Sequence, residues 1–200
     1  MDFFQVIHNR RSIRRYRHSP VSEADLQAIL DAARLAPSAE NAQPWRFLVV
    51  RSPERLRDIA GMVNAMMDQR LSEARDDPTR QRHIRRLRPY SVCFARAPVT
   101  VFILLRRSIA SPTEAHLSHF DPDLQSVSAA TCHLVLAASA LGYGSCWATA
   151  PVHFAGEELE AMLGVADPWR LVALVSIGVP AQTPTPHRLR PAEETVSFLE

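Results

Sequence analysis

Arg10-Arg11-Ser12-Ile13-Arg14 and, about one helix further on, Pro37-Ser38-Ala39-Glu40-Asn41-Ala42-Gln43-Pro44-Trp45 are the two stretches on which the reading of this chain turns. The first supplies guanidinium forks and a hydroxyl, groups that grip a phosphate through fixed donors. The second supplies amides, whose two ends read a donor and an acceptor edge, mounted on turn backbone. Together they suit a phosphorylated ligand with a flat polar ring. Taken singly, each has a plainer reading. The first, flanked by Arg15 and Arg17, is equally a solvated basic turn, and the second is equally a proline-bounded link from helix to strand.

Outward from these stretches the pattern alternates helix and strand. A short helix is expected over Asp2 to His8. A stronger one is expected over Ser22 to Ala36, with Ser22 as cap, Glu23 and Asp25 at the positive end of the dipole, and Leu26, Ile29, Leu30 and Ala33 on one face. Pro37 stops it. Trp45 to Val50 reads as a strand, and Ser52-Pro53-Glu54 opens a helix through Leu56, Ile59, Met62, Val63 and Met66. Residues 70–88 carry seven arginines and the break Asp76-Asp77-Pro78, which reads as exposed helix interrupted by a loop. Val99 to Leu105 is apolar enough for a strand covered on both faces. Arg106 to Pro122 reads as a polar loop near a substrate opening. Asp123 to Leu141 is a helix closed by Gly142. Ser145 to Ala148 and Arg170 to Val179 read as strands, with a short helix over Gly156 to Leu163 between them and a proline-rich, extended tail from Pro180.

Two hundred residues, 46% of them apolar, fit one domain or half of a dimer that shares a core. The longest apolar stretch, Ala97 to Leu105, is far short of the roughly 20 residues of a membrane-spanning helix. No secretory signal is recognisable at Met1-Asp2-Phe3-Phe4, so a cytoplasmic protein is expected. Three cysteines, Cys93, Cys132 and Cys146, without any C-x-x-C spacing give neither a disulfide framework nor a zinc site; reduced, mostly buried thiols are expected. All 23 basic residues are arginine, yet 21 acids leave a formal charge of only +2, which makes no general electrostatic case for nucleic acid. His116-x-x-His119 with Asp121 lacks a well-spaced third ligand, and no metal is expected. Neither a third glycine after Gly142-x-Gly144 nor a G-x-S-x-G elbow is present, which disfavours a Rossmann site and a hydrolase.

With these residues in view the chain resembles the nitroreductase family of FMN-dependent oxidoreductases, whose members open with R-x-S-x-R followed by P-S-x-x-N-x-Q-P-W. The likeness extends to Ala140-Leu141-Gly142-Tyr143-Gly144-Ser145-Cys146-Trp147 and to Ile177-Gly178-Val179-Pro180 followed by Arg188 and Arg190, so it runs nearly end to end. It implies an α+β nitroreductase-like fold: a mixed, mainly antiparallel sheet flanked by helices. It also implies an intertwined homodimer in which residues 1–200 form a single FMN-binding domain and the tail of residues 180–200 crosses to the partner. In that resemblance Arg10 and Ser12, with Arg11 beside them, hold the FMN phosphate, and Arg14 lies by the pyrimidine side of the flavin. Pro37, Ser38 and Asn41 line the ring from the second subunit. Thr149 and Ala150 lie near flavin N5, where many relatives have glycine, and Arg188 and Arg190 close on the phosphate. Trp147 is expected to be core rather than cofactor contact.

The implied activity is a ping-pong transfer, with hydride passing from NADH or NADPH through flavin N5 to a small acceptor such as a nitroaromatic or a quinone. Flavin supplies the hard chemistry, which is why no acid and base pair need stand out. Dehalogenating and flavin-cleaving enzymes also occur among the relatives. Two rivals are a non-catalytic flavin carrier or sensor and an arginine-driven nucleic-acid binder.

Overall fold

The computed structural model describes residues 2–106, 121–184, 186 and 189–199. Its helices are α1 (Phe3–Asn9), α2 (Glu23–Arg34), α3 (Pro53–Glu73), α4 (Pro78–Ser91), α5 (Pro122–Ala140) and α6 (Ala150–Leu163). Its strands are β1 (Trp45–Val50), β2 (Val99–Arg106), β3 (Gly144–Ala148) and β4 (Trp169–Gly178), in the sheet order β1-β2-β4-β3. All three strand pairings are antiparallel. Among the described residues the parallel component of the expected mixed sheet is a single bridge between Ser12 and Ser145.

Local chemistry explains the helix boundaries. Asp2 caps α1 in a reciprocal box with Gln5, Ser22 caps α2, Ser52 caps α3 ahead of Pro53, Asp77 caps α4 and Asp121 caps α5. Gly142, with φ of 84°, supplies the left-handed residue after α5. The polar segment that the sequence places beside a substrate opening, with His116 and His119, lies almost wholly outside the described residues.

The sheet is the middle of three layers. On one face Val101, Ile103, Leu105, Val175 and Ile177 pack against α2 and α5 through Ile29, Ala33, Ala130 and Leu134. On the other, Phe102, Leu104, Leu171 and Leu174 pack against α3, α4 and α6 through Ile59, Val63, Ile84 and Leu159. Alternation along β2 therefore feeds both cores, which is why its sequence reads as an unbroken apolar run. A register shift between Ile103 and Leu104 gives Val172 and Ala173 to the same face.

Two expectations need correction. The last helix begins at Ala150 rather than Gly156, because Pro151 fits the first turn and the apolar Val152-His153-Phe154 stretch winds on to a kink at Ala155. Trp147 is 39% exposed: β3 is an edge strand, and burying Cys146 turns the next side chain outward.

Residues 12–17 form a strap across the ends of β3 and β4. The Ile13 N–H donates to the Ser145 carbonyl (2.8 Å), the Arg17 N–H to the Val179 carbonyl (2.9 Å) and the Ala181 N–H to the Arg15 carbonyl (2.9 Å). Two glycines that face each other in the β3–β4 register make room for it. A Cβ on Gly144 would stand 2.7 Å from Ile13 Cβ, and one on Gly178 would stand 2.6 Å from Pro98 Cδ and 2.9 Å from Tyr16 Cδ1. Overpacking of this kind costs about 1–3 kcal/mol. Gly144→Ala should accordingly lower the melting temperature by several degrees, and adding Ile13→Ala should recover part of the loss. Unchanged thermal unfolding in Gly144→Ala would mean the strap is not seated this way.

Candidate functional site

The strap positions the arginines of the first motif. Its backbone is pinned on one side by β3 and on the other by Gln182, whose Oε1 accepts from the N–H groups of Arg14 (3.1 Å) and Arg15 (3.0 Å). Arg10, Ser12 and Arg14 are half-buried. The Arg14 guanidinium stacks over the Tyr90 ring at 4.9 Å, and its Nε is buried without a hydrogen-bond partner. A buried donor left unpaired costs free energy, so Arg14 is prepared for an acceptor from outside its own chain fold. Arg11 serves locally: its guanidinium donates to the carbonyls of His8 and Arg10 at the end of α1, the latter at 2.8 Å.

Beneath Arg14 lies a buried polar cluster that sequence reasoning did not assemble. Cys93 and Cys146 come from segments far apart in the chain, both are free and buried, and each thiol shifts the other's acidity. The Cys93 thiol donates to the Tyr90 carbonyl at 3.3 Å. The neighbouring Cys93 thiol and the charge of Arg14 hold the Cys146 thiol below the ordinary cysteine range, while the nearby Cys146 and burial push Cys93 up. Tyr16 completes the cluster, its hydroxyl 2.8 Å from Ser176 Oγ and its acidity suppressed by burial. The expectation of reduced, mostly buried cysteines fits Cys93 and Cys146; Cys132 is exposed.

The second motif forms a tight, unusual loop. Glu40, Asn41 and Gln43 all hold positive φ, at 52°, 54° and 48°. The loop is closed internally, with the Gln43 N–H donating to Ser38 Oγ (3.1 Å) and Gln43 Nε2 to Asn41 Oδ1 (3.3 Å), and it is tied to α5 by the Ala39 N–H donating to Ser126 Oγ (3.0 Å). Gln43 thus engages the carbonyl end of the Asn41 amide and leaves its NH2 donors for another partner. Pro37 and Asn41 are exposed and Ser38 is half-buried. Burial, with the charges of Asp121 and Glu40 nearby, raises the Asp123 carboxyl above its usual range.

Within one chain these two halves do not meet. Ser12 sits beside Ser145, which pairs with Ile177, whereas the loop ends at Trp45, which pairs with Leu105 and through it aligns with Arg170. Four strand spacings and seven residues along β4 separate them, about 30 Å at ordinary sheet dimensions. That is longer than a flavin mononucleotide. Thr149 is exposed at the N-cap of α6 and Ala150 opens that helix, just beyond β3. Arg190 is exposed in the tail, and Arg188 lies outside the described residues. Among the described residues no group of His, Cys, Asp and Glu is arranged to hold a metal ion, and no helix is long and apolar enough to cross a membrane.

Comparison with known proteins places this geometry. The sequence model of the nitroreductase family matches residues 7–179. A putative NADH dehydrogenase/NAD(P)H nitroreductase of Archaeoglobus fulgidus is 31% identical over 179 residues, covering 88% of this chain and 84% of that protein. The crystal structure of a BluB-like flavoprotein from Clostridium difficile superposes with a TM-score of 0.90 at 27% identity, covering 100% of both chains. A nitroreductase with bound FMN from Desulfitobacterium hafniense shares the fold, with a TM-score of 0.76 at 24% identity and 100% of both chains covered.

The thiol cluster is directly testable. Thiolate absorbance in the wild type, less that of Cys146→Ser, should rise at a pH below the ordinary cysteine value of about 8.5. In Arg14→Ala the same step should move to higher pH, because the stabilising positive charge is gone. A step at or above the ordinary value, unaffected by Arg14→Ala, would separate Cys146 from Arg14.

Proposed function

The chain belongs to the nitroreductase family, and on that premise we propose that it is an FMN-dependent oxidoreductase that uses NADH or NADPH to reduce a small acceptor such as a quinone or nitroaromatic. The observation that carries this reading is the buried, unpartnered Nε of Arg14 on a strap whose backbone is held at both ends. A guanidinium so placed fits an acceptor oxygen or nitrogen on the pyrimidine side of a flavin, and the donor set of Arg10 and Ser12 on the same strap fits its phosphate.

When bound, FMN supplies the two-electron chemistry, with hydride entering and leaving at N5 in two successive half-reactions. The chain's residues bind and orient. Arg14 stabilises negative charge on the reduced ring, at a position fixed by Tyr90, Gln182 and Cys146. The Asn41 amide, held by Gln43, reads the polar edge. Thr149 and Ala150, at the start of α6, would lie near N5 of the bound flavin. Arg190, exposed in the tail, would add a cation for the phosphate.

The site is shared between two subunits in this reading. The separation of strap and loop supports it, since one subunit's strap needs another's loop to enclose a single ring. The tail supports it too, because Leu189, Val196, Phe198 and Leu199 stand exposed on either side of a short 3-10 turn at Ala192–Glu194, apolar groups suited to lie on a partner. The likeness to the BluB-like flavoprotein supports flavin binding as such; a second reading keeps the flavin as a carrier or sensor, without turnover by a nicotinamide.

An anaerobic visible spectrum separates the two. The purified protein should show FMN absorbance that bleaches on adding NADH or NADPH and recovers with a quinone; persistent yellow colour would leave the holding role, and no flavin after incubation with FMN would overturn both. Arg14→Ala should weaken FMN binding about tenfold or more, or lower the flavin potential, as expected for loss of a charge-assisted contact. Unchanged affinity and potential would remove Arg14 from the site.

A further inference from the structure

A cavity of about 980 Å³ lies apart from the candidate site: Arg10, Ser12, Arg14, Thr149 and the loop of residues 37–43 take no part in its lining. Its rim carries Arg15, Arg17, Arg51, Arg57, Arg96 and His18, and among the described residues no aspartate or glutamate lines it. Arg51 is paired with Glu23, and Arg17 Nε donates to the Pro180 carbonyl at 3.2 Å. The guanidiniums of Arg15, Arg57 and Arg96 have no ion pair or hydrogen bond among the described residues. The first turn of α3, at Pro53, opens on the same space and adds the positive end of a long helix.

The floor is different in kind. Val21, Ala60 and Val99 are buried there, with the Tyr16 ring and Pro98 beside them. Guanidinium groups that line one space without ion pairs of their own are matched by phosphate or carboxylate oxygens, and an apolar floor in the same space is matched by a hydrocarbon body. The volume is that of an ordinary small-molecule site.

We propose that this cavity binds a small organic dianion, a phosphate monoester or an aromatic dicarboxylate, with its charge among Arg15, Arg57 and Arg96 and its apolar body on the floor. Arg15 and Arg17 belong to the strap that carries Arg14, so occupancy here would press on the same backbone.

Calorimetry on FMN-saturated protein at low ionic strength tests this, with phenyl phosphate, phthalate and inorganic phosphate as probes. One site per chain is expected, with phenyl phosphate binding about tenfold tighter than inorganic phosphate because its ring is buried. Phthalate outbinding phenyl phosphate would assign the carboxylate source instead. The double variant Arg57→Ala/Arg96→Ala should lose about tenfold or more in affinity. Arg82→Ala/Arg85→Ala, which removes the same charge from exposed positions on α4, should leave binding unchanged. Both doubles replace exposed side chains, so the fold is kept. No binding of either organic probe, or equal loss in the two doubles, would overturn the proposal.

Discussion

The strap of residues 12–17 is held by backbone hydrogen bonds to Ser145 and Val179, and much of the functional architecture follows from that pairing. Without it the arginine run would be a solvated segment with many accessible conformations, and ordering it around a ligand would carry the full entropic penalty. With it, Arg14 is fixed over Tyr90 and above a pair of buried thiols before any ligand arrives. The sheet makes this possible at two glycines, where the absence of a side chain is what lets Ile13 and Tyr16 close in. Arg14 is thus positioned by the packing of its neighbours.

The same segment divides the molecule's positive charge between two jobs. Arg14 is enclosed and met by an aromatic face and a thiol of raised acidity, whereas Arg15 and Arg17, close to it in the chain, line an open cavity with an apolar floor. Charge count alone does not separate these roles. Burial does, because a guanidinium in a low-dielectric setting interacts far more strongly than one screened by water.

Much of the fold was legible because it rests on local signals. Ser22, Ser52 and Pro53 mark helix starts in the sequence, Pro37 and Gly142 mark ends, and the apolar run from Val99 declares a strand covered on both sides. The start of α6 was not legible, since Val152, His153 and Phe154 have no helical preference and are wound by packing on α3. Trp147 misled because its size suggests burial, while edge-strand alternation decides otherwise. Of the site, the candidate residue types and their order could be read in the sequence, whereas sharing between two subunits came from the family resemblance alone. The Cys93–Cys146 contact could not, because it joins residues distant in sequence and neither lies in a recognisable spacing. The cavity at Arg57 and Arg96 was equally hidden, its arginines drawn from four separate segments.

The loop before β1 departs from what stability alone would choose. Left-handed backbone at Glu40, Asn41 and Gln43 is a conformation that glycine adopts freely and that costs other residues of order 1 kcal/mol or more each. Side chains at these places are therefore kept at an energetic penalty, and what they supply in return is a rigid outline for the exposed loop that carries Asn41. In a lineage released from cofactor binding, drift toward glycine at these three positions would be the first visible trace, appearing while the helices, the sheet and both cores stayed intact.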